Sequence, residues 1–338
     1  MVDNVGFERL ESLDPEWVAW LCEARAQGAS RDHIEAVLKD RGDEQPALTL
    51  SSLERHPIFQ WAVERHLKLS DRAKRAECYV RLHDQLWGGR DEPLRKLQAP
   101  AVEEFFNHYY FGLRPVIIQG WADTWSALEA WDPQRWVERF AEVEIEVSAG
   151  RDCTRGFDRR FNATKSMTTL GDFARDLLTL DQPSNDRYLI ARNHALDRPE
   201  LASLLDDIDE RPYLDPQRRS GSMALWFGPR GTITPLHHDT CQIMFVQLRG
   251  EKEFVLIPPH AQGLFDQSTH MYSDLDPRLD LIKHPQHHHQ LNCILRPGDA
   301  LFIPVGWWHA VRSLSLSQSL AMTHFIVPNQ FDWYRPGS

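Results

Sequence analysis

Cysteine is scarce in this chain. Its five residues, Cys22, Cys78, Cys153, Cys241 and Cys293, are scattered through 338 positions with no Cys-x-x-Cys pair. An odd, dispersed set argues against a disulfide framework or a cysteine-built zinc module and suits reduced thiols in a cytosol. Long apolar runs are also missing, since none approaches the roughly 18 residues of a membrane helix. The first residues, Met1 to Arg9, lack the basic region and apolar centre of a signal peptide. The expectation is a cytoplasmic protein with no membrane partner. Base is in deficit, with 38 Lys and Arg against 49 Asp and Glu. The resulting net charge of −11 argues against a nucleic-acid partner and favours neutral or cationic ones.

What is present divides the chain in two. Residues 1–90 read as an α-helical accessory region. Pro15 opens a helical pattern, Ser30 offers an N-cap for a second helix, and periodicity resumes over residues 50–88. This region fits either a small partner-binding module or a packing appendage, and its helices could recruit substrate or form a homodimer contact. Gly88-Gly-Arg-Asp-Glu-Pro93 is the candidate linker. Residues 91–338 then mix short helices with strands. The spacing predicts a helix over Thr168–Leu178, a strand at Tyr188–Ala191 and a short helix after Arg198. Arg151–Thr164, polar and cationic, reads as a mobile solvated loop. From about residue 223 to 326 strand-length runs follow one another between Gly and Pro turns. These point to a mainly β fold with helical additions, a jelly roll or double-stranded β-helix of the cupin type.

One stretch carries chemistry. Leu236–Leu248 reads as a single strand that holds His237 and Asp239 two positions apart. Alternation would then put both on one face and His238 on the other. Later, Gly298-Asp-Ala-Leu-Phe-Ile-Pro-Val-Gly-Trp-Trp-His309 brings another histidine out of an apolar run. Two histidines and a carboxylate with open positions make the facial triad of a non-haem Fe(II) centre. Trp307 and Trp308 are expected to wall that centre off from water. The tract His284-Pro-Gln-His-His-His289 has metal-binding composition, but consecutive histidines on an extended segment diverge, and it is not taken as a second metal site.

Several motifs in order carry a family likeness. Tyr188-Leu-Ile-Ala, Trp226 to Asp239, Val246-Gln-Leu-Arg-Gly-Glu-Lys252, Ile257-Pro-Pro and Leu295 to His309 resemble the JmjC/cupin-like Fe(II)/2-oxoglutarate oxygenases, particularly their small protein hydroxylases. The resemblance implies Fe(II) held by His237, Asp239 and His309. It further implies 2-oxoglutarate anchored by Lys252, with Thr234 and Tyr188 assisting and Trp226 near the pocket. The implied reaction hydroxylates a side chain in a peptide or protein substrate using O2, with release of succinate and CO2. N-methyl-lysine demethylation is one alternative, and an inactive metal-binding interaction protein is another. The chain departs from the pattern at Ile243, where many of these hydroxylases carry an asparagine. Gln242 beside it could supply the amide only if a bulge turned it inward. His238 is read as a packed or surface imidazole, His324 as a core histidine and Asp299 as a turn cap.

Overall fold

The structure is a computed structural model that describes residues 14–87, 93–259, 268–273, 275 and 290–331. The chain divides into two compact units, Met1–Gly89 and Arg90–Ser338. The expected linker, apart from Pro93, and the histidine tract at 284–289 lie outside the described residues.

The first unit is helical: α1 (Pro15–Ala26), α2 (Arg31–Asp40), α3 (Pro46–Arg55) and α4 (Pro57–Trp87). The starts follow from local chemistry. The Asp14 side chain accepts from the Glu16 amide and the Ser30 hydroxyl accepts from the His33 amide, which satisfies donors left over at each helix start. Proline is the first residue of α1, α3 and α4, where its missing N–H costs nothing. Leu21, Ile34, Leu38, Leu50, Leu53 and Phe59 form this unit's core.

The second unit is built on two six-stranded sheets. Its strands are β1 (Arg95–Leu97), β2 (Val116–Ile118), β3 (Glu144–Ser148), β4 (Lys165–Thr169), β5 (Met223–Gly228), β6 (Ile233–His237), β7 (Ile243–Arg249), β8 (Lys252–Ile257), β9 (Ser268–Thr269), β10 (Tyr272–Ser273), β11 (Leu291–Leu295), β12 (Ala300–Ile303), β13 (Trp308–Ser313) and β14 (Ser317–Met322). One sheet runs β1-β2-β12-β7-β14-β5 and the other β11-β8-β13-β6-β10-β9, while β3 and β4 pair separately. From β5 to β8, and again from β11 to β14, successive strands alternate between the sheets, which gives a double-stranded β-helix. No helix among the described residues is long and apolar enough to cross a membrane.

Helices cover the first sheet. α5 (Val102–Phe105) continues into a π-helical turn at Phe106–Tyr110, and α6 (Ala127–Ala130), α7 (Pro133–Arg139) and α8 (Leu170–Thr179) follow. The Thr169 hydroxyl caps α8 by accepting from the Asp172 amide. Trp136 of α7 and Phe173 of α8 both meet Phe227 of β5 edge-on, with ring centroids 5.5 Å apart. Trp131, Trp136, Trp307 and Trp308 are fully buried, so much of the indole content is core.

Three sequence expectations change. The run Leu236–Leu248 is two strands, β6 and β7, in different sheets, because the chain crosses from one sheet to the other over residues 238–242. Asn329 clamps that corner. Its Nδ2 donates to the carbonyls of Gln242 and Thr323, and its Oδ1 accepts from the Gln242 amide. The expected strand at Tyr188–Ala191 is reduced to isolated bridges, Ser148 with Tyr188 and Leu189 with Phe227. The helix after Arg198 is of the tighter 3-10 type, Pro199–Asp207.

Candidate metal centre and its cavity

His237 is the last residue of β6 and stands directly opposite His309 of β13 in antiparallel register. Asp239 lies two residues further on, in the corner and off the strand. Strand alternation therefore does not bring the three together; the end of one strand, the turn after it and the facing strand do. Each imidazole is tethered by its Nδ1 to the carbonyl two residues before it, His237 to Pro235 at 2.8 Å and His309 to Trp307 at 3.0 Å. A carbonyl only accepts, so each Nδ1 carries a proton, and in the neutral imidazole Nε2 then keeps its lone pair. The Nε2 atoms of His309 and His237 lie 3.4 Å and 3.8 Å from Asp239 Oδ2. The three ligand atoms all lie within 4.8 Å of one another, the one such cluster among the described residues.

Burial, with His309 beside it, pushes the His237 imidazole down to about 4, which keeps it neutral at ordinary pH. Burial alone would raise the Asp239 carboxyl, but its contact with His309 and the neighbouring imidazoles bring it down to about 2. A neutral His237 and an ionised Asp239 are the protonation states a divalent ion requires of such ligands.

The triad opens on a cavity of about 360 Å³ between the sheets. Lys252, the first residue of β8, lines the same cavity and is fully buried. Gly250 sets up its approach: it has φ of +67°, and a Cβ there would stand 2.1 Å from the Leu316 carbonyl oxygen, so only glycine fits this turn. The Lys252 ammonium donates to the Tyr188 hydroxyl at 2.9 Å and is ringed by Tyr188, Trp226 and Phe245, 5.2–5.9 Å from their centroids. No carboxylate among the described residues pairs with it. Desolvation accordingly lowers its pKa to about 7. The Tyr188 hydroxyl interacts with Thr232, Ser313 and Thr234, and burial raises its pKa.

The structure thus brings His237, Asp239, His309, Lys252, Tyr188, Thr234 and Trp226 to one cavity. Gln242 does not join its described lining, whereas Ile243 does. Trp307 and Trp308 do not line it either. The Trp307 indole donates to the Leu113 carbonyl, and Trp308 packs in a separate apolar cluster with Leu236, Val255 and Ile257. Phe245, Phe254, Ile303 and Trp226 supply apolar wall in their place. His238 meets Trp308 edge-on, His324 pairs with buried Glu210, and Asp299 accepts from the Gly120 and Arg296 amides.

Sequence reasoning missed Arg151, Arg192, Tyr272 and Asn329. Arg151 opens the segment read as a solvated loop, yet it is buried, hydrogen-bonded to Asn185 and the Ile233 carbonyl, and stacked between Phe157 and Tyr188. Nothing in the sequence separates it from Arg155, Arg159 and Arg160, three arginines of the same segment.

Residues 102–331 match the family model of the cupin-like domain. That is more than half of the chain, and the chain belongs to this family. Its curated relatives include proteins named as demethylases and hydroxylases and others named for a JmjC domain. A Xenopus tropicalis protein named lysine-specific demethylase 8 is 32% identical over 235 residues, 67% of this chain and 51% of its own. A Caenorhabditis elegans protein named bifunctional arginine demethylase and lysyl-hydroxylase is 24% identical over 246 residues, 66% of this chain and 58% of its own. A human protein named bifunctional peptidase and (3S)-lysyl hydroxylase is 23% identical over 270 residues, 70% of this chain and 84% of its own. The chain spans about half the length of the first of these. JmjC oxygenases use Fe(II) and 2-oxoglutarate, and the His-Asp-His cluster is a donor set for ferrous iron.

Proposed function

We propose that this chain is an Fe(II)- and 2-oxoglutarate-dependent dioxygenase that hydroxylates an amino-acid side chain in a peptide or protein, with release of succinate and CO2. The observation that carries the reading is a single cavity joining a two-His, one-carboxylate cluster to a buried ammonium that has no counter-ion among the described residues. In this reading His237, Asp239 and His309 hold the iron, and their Nδ1 tethers fix which nitrogen faces it. Lys252 receives the far carboxylate of the ketoacid, with Tyr188 and Thr234 beside it. When bound, the iron and the ketoacid supply the O2 chemistry. The chain's own contribution is to orient both and to exclude water with Phe245, Phe254 and Ile303. All five cysteines are free thiols, which supports work in a reducing compartment such as the cytosol.

N-methyl-lysine demethylation would use each of these residues in the same role and is supported by the relatives' names alone. A binding protein without turnover is the other competitor, supported by Ile243 on the cavity wall and Gln242 off it. Succinate release from 2-oxoglutarate, coupled to the gain of one oxygen atom by a peptide from host lysate, is the result expected of a hydroxylase. Formaldehyde in place of that gain would assign demethylation. The absence of any succinate would leave the binding protein.

A further inference from the structure

The cavity has a charge that neither the metal nor the ketoacid accounts for. On its described lining the charged side chains besides histidine are Arg151, Asp158, Arg192, Asp239 and Lys252. In the oxygenase reading, Asp239 belongs to iron and Lys252 to the ketoacid. Arg151 is buried in the wall, hydrogen-bonded to Asn185 and the Ile233 carbonyl, and the carboxylates of Asp158, Asp152 and Asp186 lie in its field. Arg192 remains. It lines the cavity and is partly exposed, and no carboxylate among the described residues pairs with it.

Arg192 is nonetheless held in place. Its Nη2 donates to the Tyr272 hydroxyl at 2.6 Å, and its guanidinium lies 5.7 Å from the Phe161 ring centroid. The Tyr272 ring stacks on His237, 6.1 Å away at an interplanar angle of 22°. The guanidinium is therefore fixed one aromatic ring from the candidate metal ligand. A substrate lysine or arginine entering here would meet this cation, and the described lining offers it no acid beyond Asp239 and Asp158. An oriented guanidinium fork suits a carboxylate.

We propose that Arg192 receives a carboxylate of the substrate, so that the residue presented for oxidation carries or adjoins an acidic group and is not a lysine or arginine side chain. This rests on the oxygenase reading above. The chain's overall excess of acid bears on bulk association, whereas the local charge at the cavity decides which residue is admitted.

The test is calorimetric titration of blocked pentapeptides differing only in a central Asp, Glu, Asn, Lys or Arg. They are titrated into the full chain loaded anaerobically with Fe(II) and 2-oxoglutarate, loading being checked by its charge-transfer absorption. An uncharged pentapeptide with a free C-terminus is run beside them. Peptides bearing a carboxylate are expected to bind about tenfold or more tightly than the Lys and Arg peptides. A gain confined to central Asp or Glu assigns a side-chain carboxylate, and a gain for the free C-terminus assigns a terminal one. Arg192→Gln should erase the difference and Arg192→Lys should keep part of it, both with the absorption band intact. Normal loading with equal binding, a preference for Lys or Arg, or no peptide binding overturns this proposal alone. Failure of the wild-type chain to load overturns the oxygenase reading and this proposal with it.

Discussion

The two ends of the cavity are unfinished in opposite senses. At one end a carboxylate and two lone-pair-bearing imidazoles converge, with both imidazole protons already committed to backbone carbonyls. At the other end a fully buried ammonium has a phenol hydroxyl and three aromatic rings for company and, among the described residues, no anion. A buried ion without an opposite charge is expensive in a folded protein. The contrast matches the proposed reading, in which a dication is held at the first end and an anion at the second.

The largest effect is expected at the first end. Asp239→Ala should take ketoacid turnover to the assay floor and abolish Fe(II) binding, with circular dichroism unchanged. Turnover retained in that variant would break the comparison at once. At the second end Lys252→Met should have two opposite consequences. The KM for 2-oxoglutarate should rise by about a hundredfold, as expected when one partner of a buried charge pair is removed. The ligand-free protein should become more stable by roughly 1–3 kcal/mol, because the apolar replacement removes an uncompensated buried charge. Denaturant unfolding checks the second result, and a destabilised variant would mean that the ammonium is already balanced.

The same residue gives a pH dependence with a definite sign. Its folded pKa is about 7 against an ordinary value of 10.5, so the unfolded chain binds more protons between those limits. The destabilisation is fully present below pH 7 and fades as pH rises toward 10.5, so stability rises across that window. Subtracting the Lys252→Met profile of unfolding free energy against pH isolates this slope. Next in size, Asn329→Ala removes the clamp on the corner that carries Asp239. It should weaken Fe(II) binding about tenfold, as losses around metal ligands typically do, measured by competition with a chelator. The smallest effect is expected from Tyr188→Phe, which removes one hydrogen bond to Lys252. A severalfold rise in the KM for 2-oxoglutarate, equivalent to about 1 kcal/mol, should follow without loss of metal.

The first end is far more legible in the sequence than its surroundings. His237, Asp239 and His309 announce themselves because few arrangements other than a metal site place those residue types together in such apolar company. Strand alternation is nevertheless the wrong reason for their convergence. The run 236–248 has strand composition throughout, and composition does not mark where a chain leaves one sheet for the other; the corner held by Asn329 does. Lys252 is legible through its motif, but its burial and isolation are not, since lysine is ordinarily a surface residue. Trp307 and Trp308 adjoin His309 in sequence yet face the core, a consequence of local backbone direction that a one-dimensional reading lacks. Arg151 and Arg192 are invisible for a related reason, because an arginine in a polar segment gains meaning only from what the fold packs against it.

One measurement bears on the completed cavity most directly: anaerobic titration of 2-oxoglutarate into the Fe(II)-loaded chain, followed by visible charge-transfer absorption. The expected result is a band that saturates at one ketoacid per chain, demands far more ketoacid in Lys252→Met and is missing in Asp239→Ala. A wild-type chain without the band, or a band indifferent to Lys252, would contradict the account.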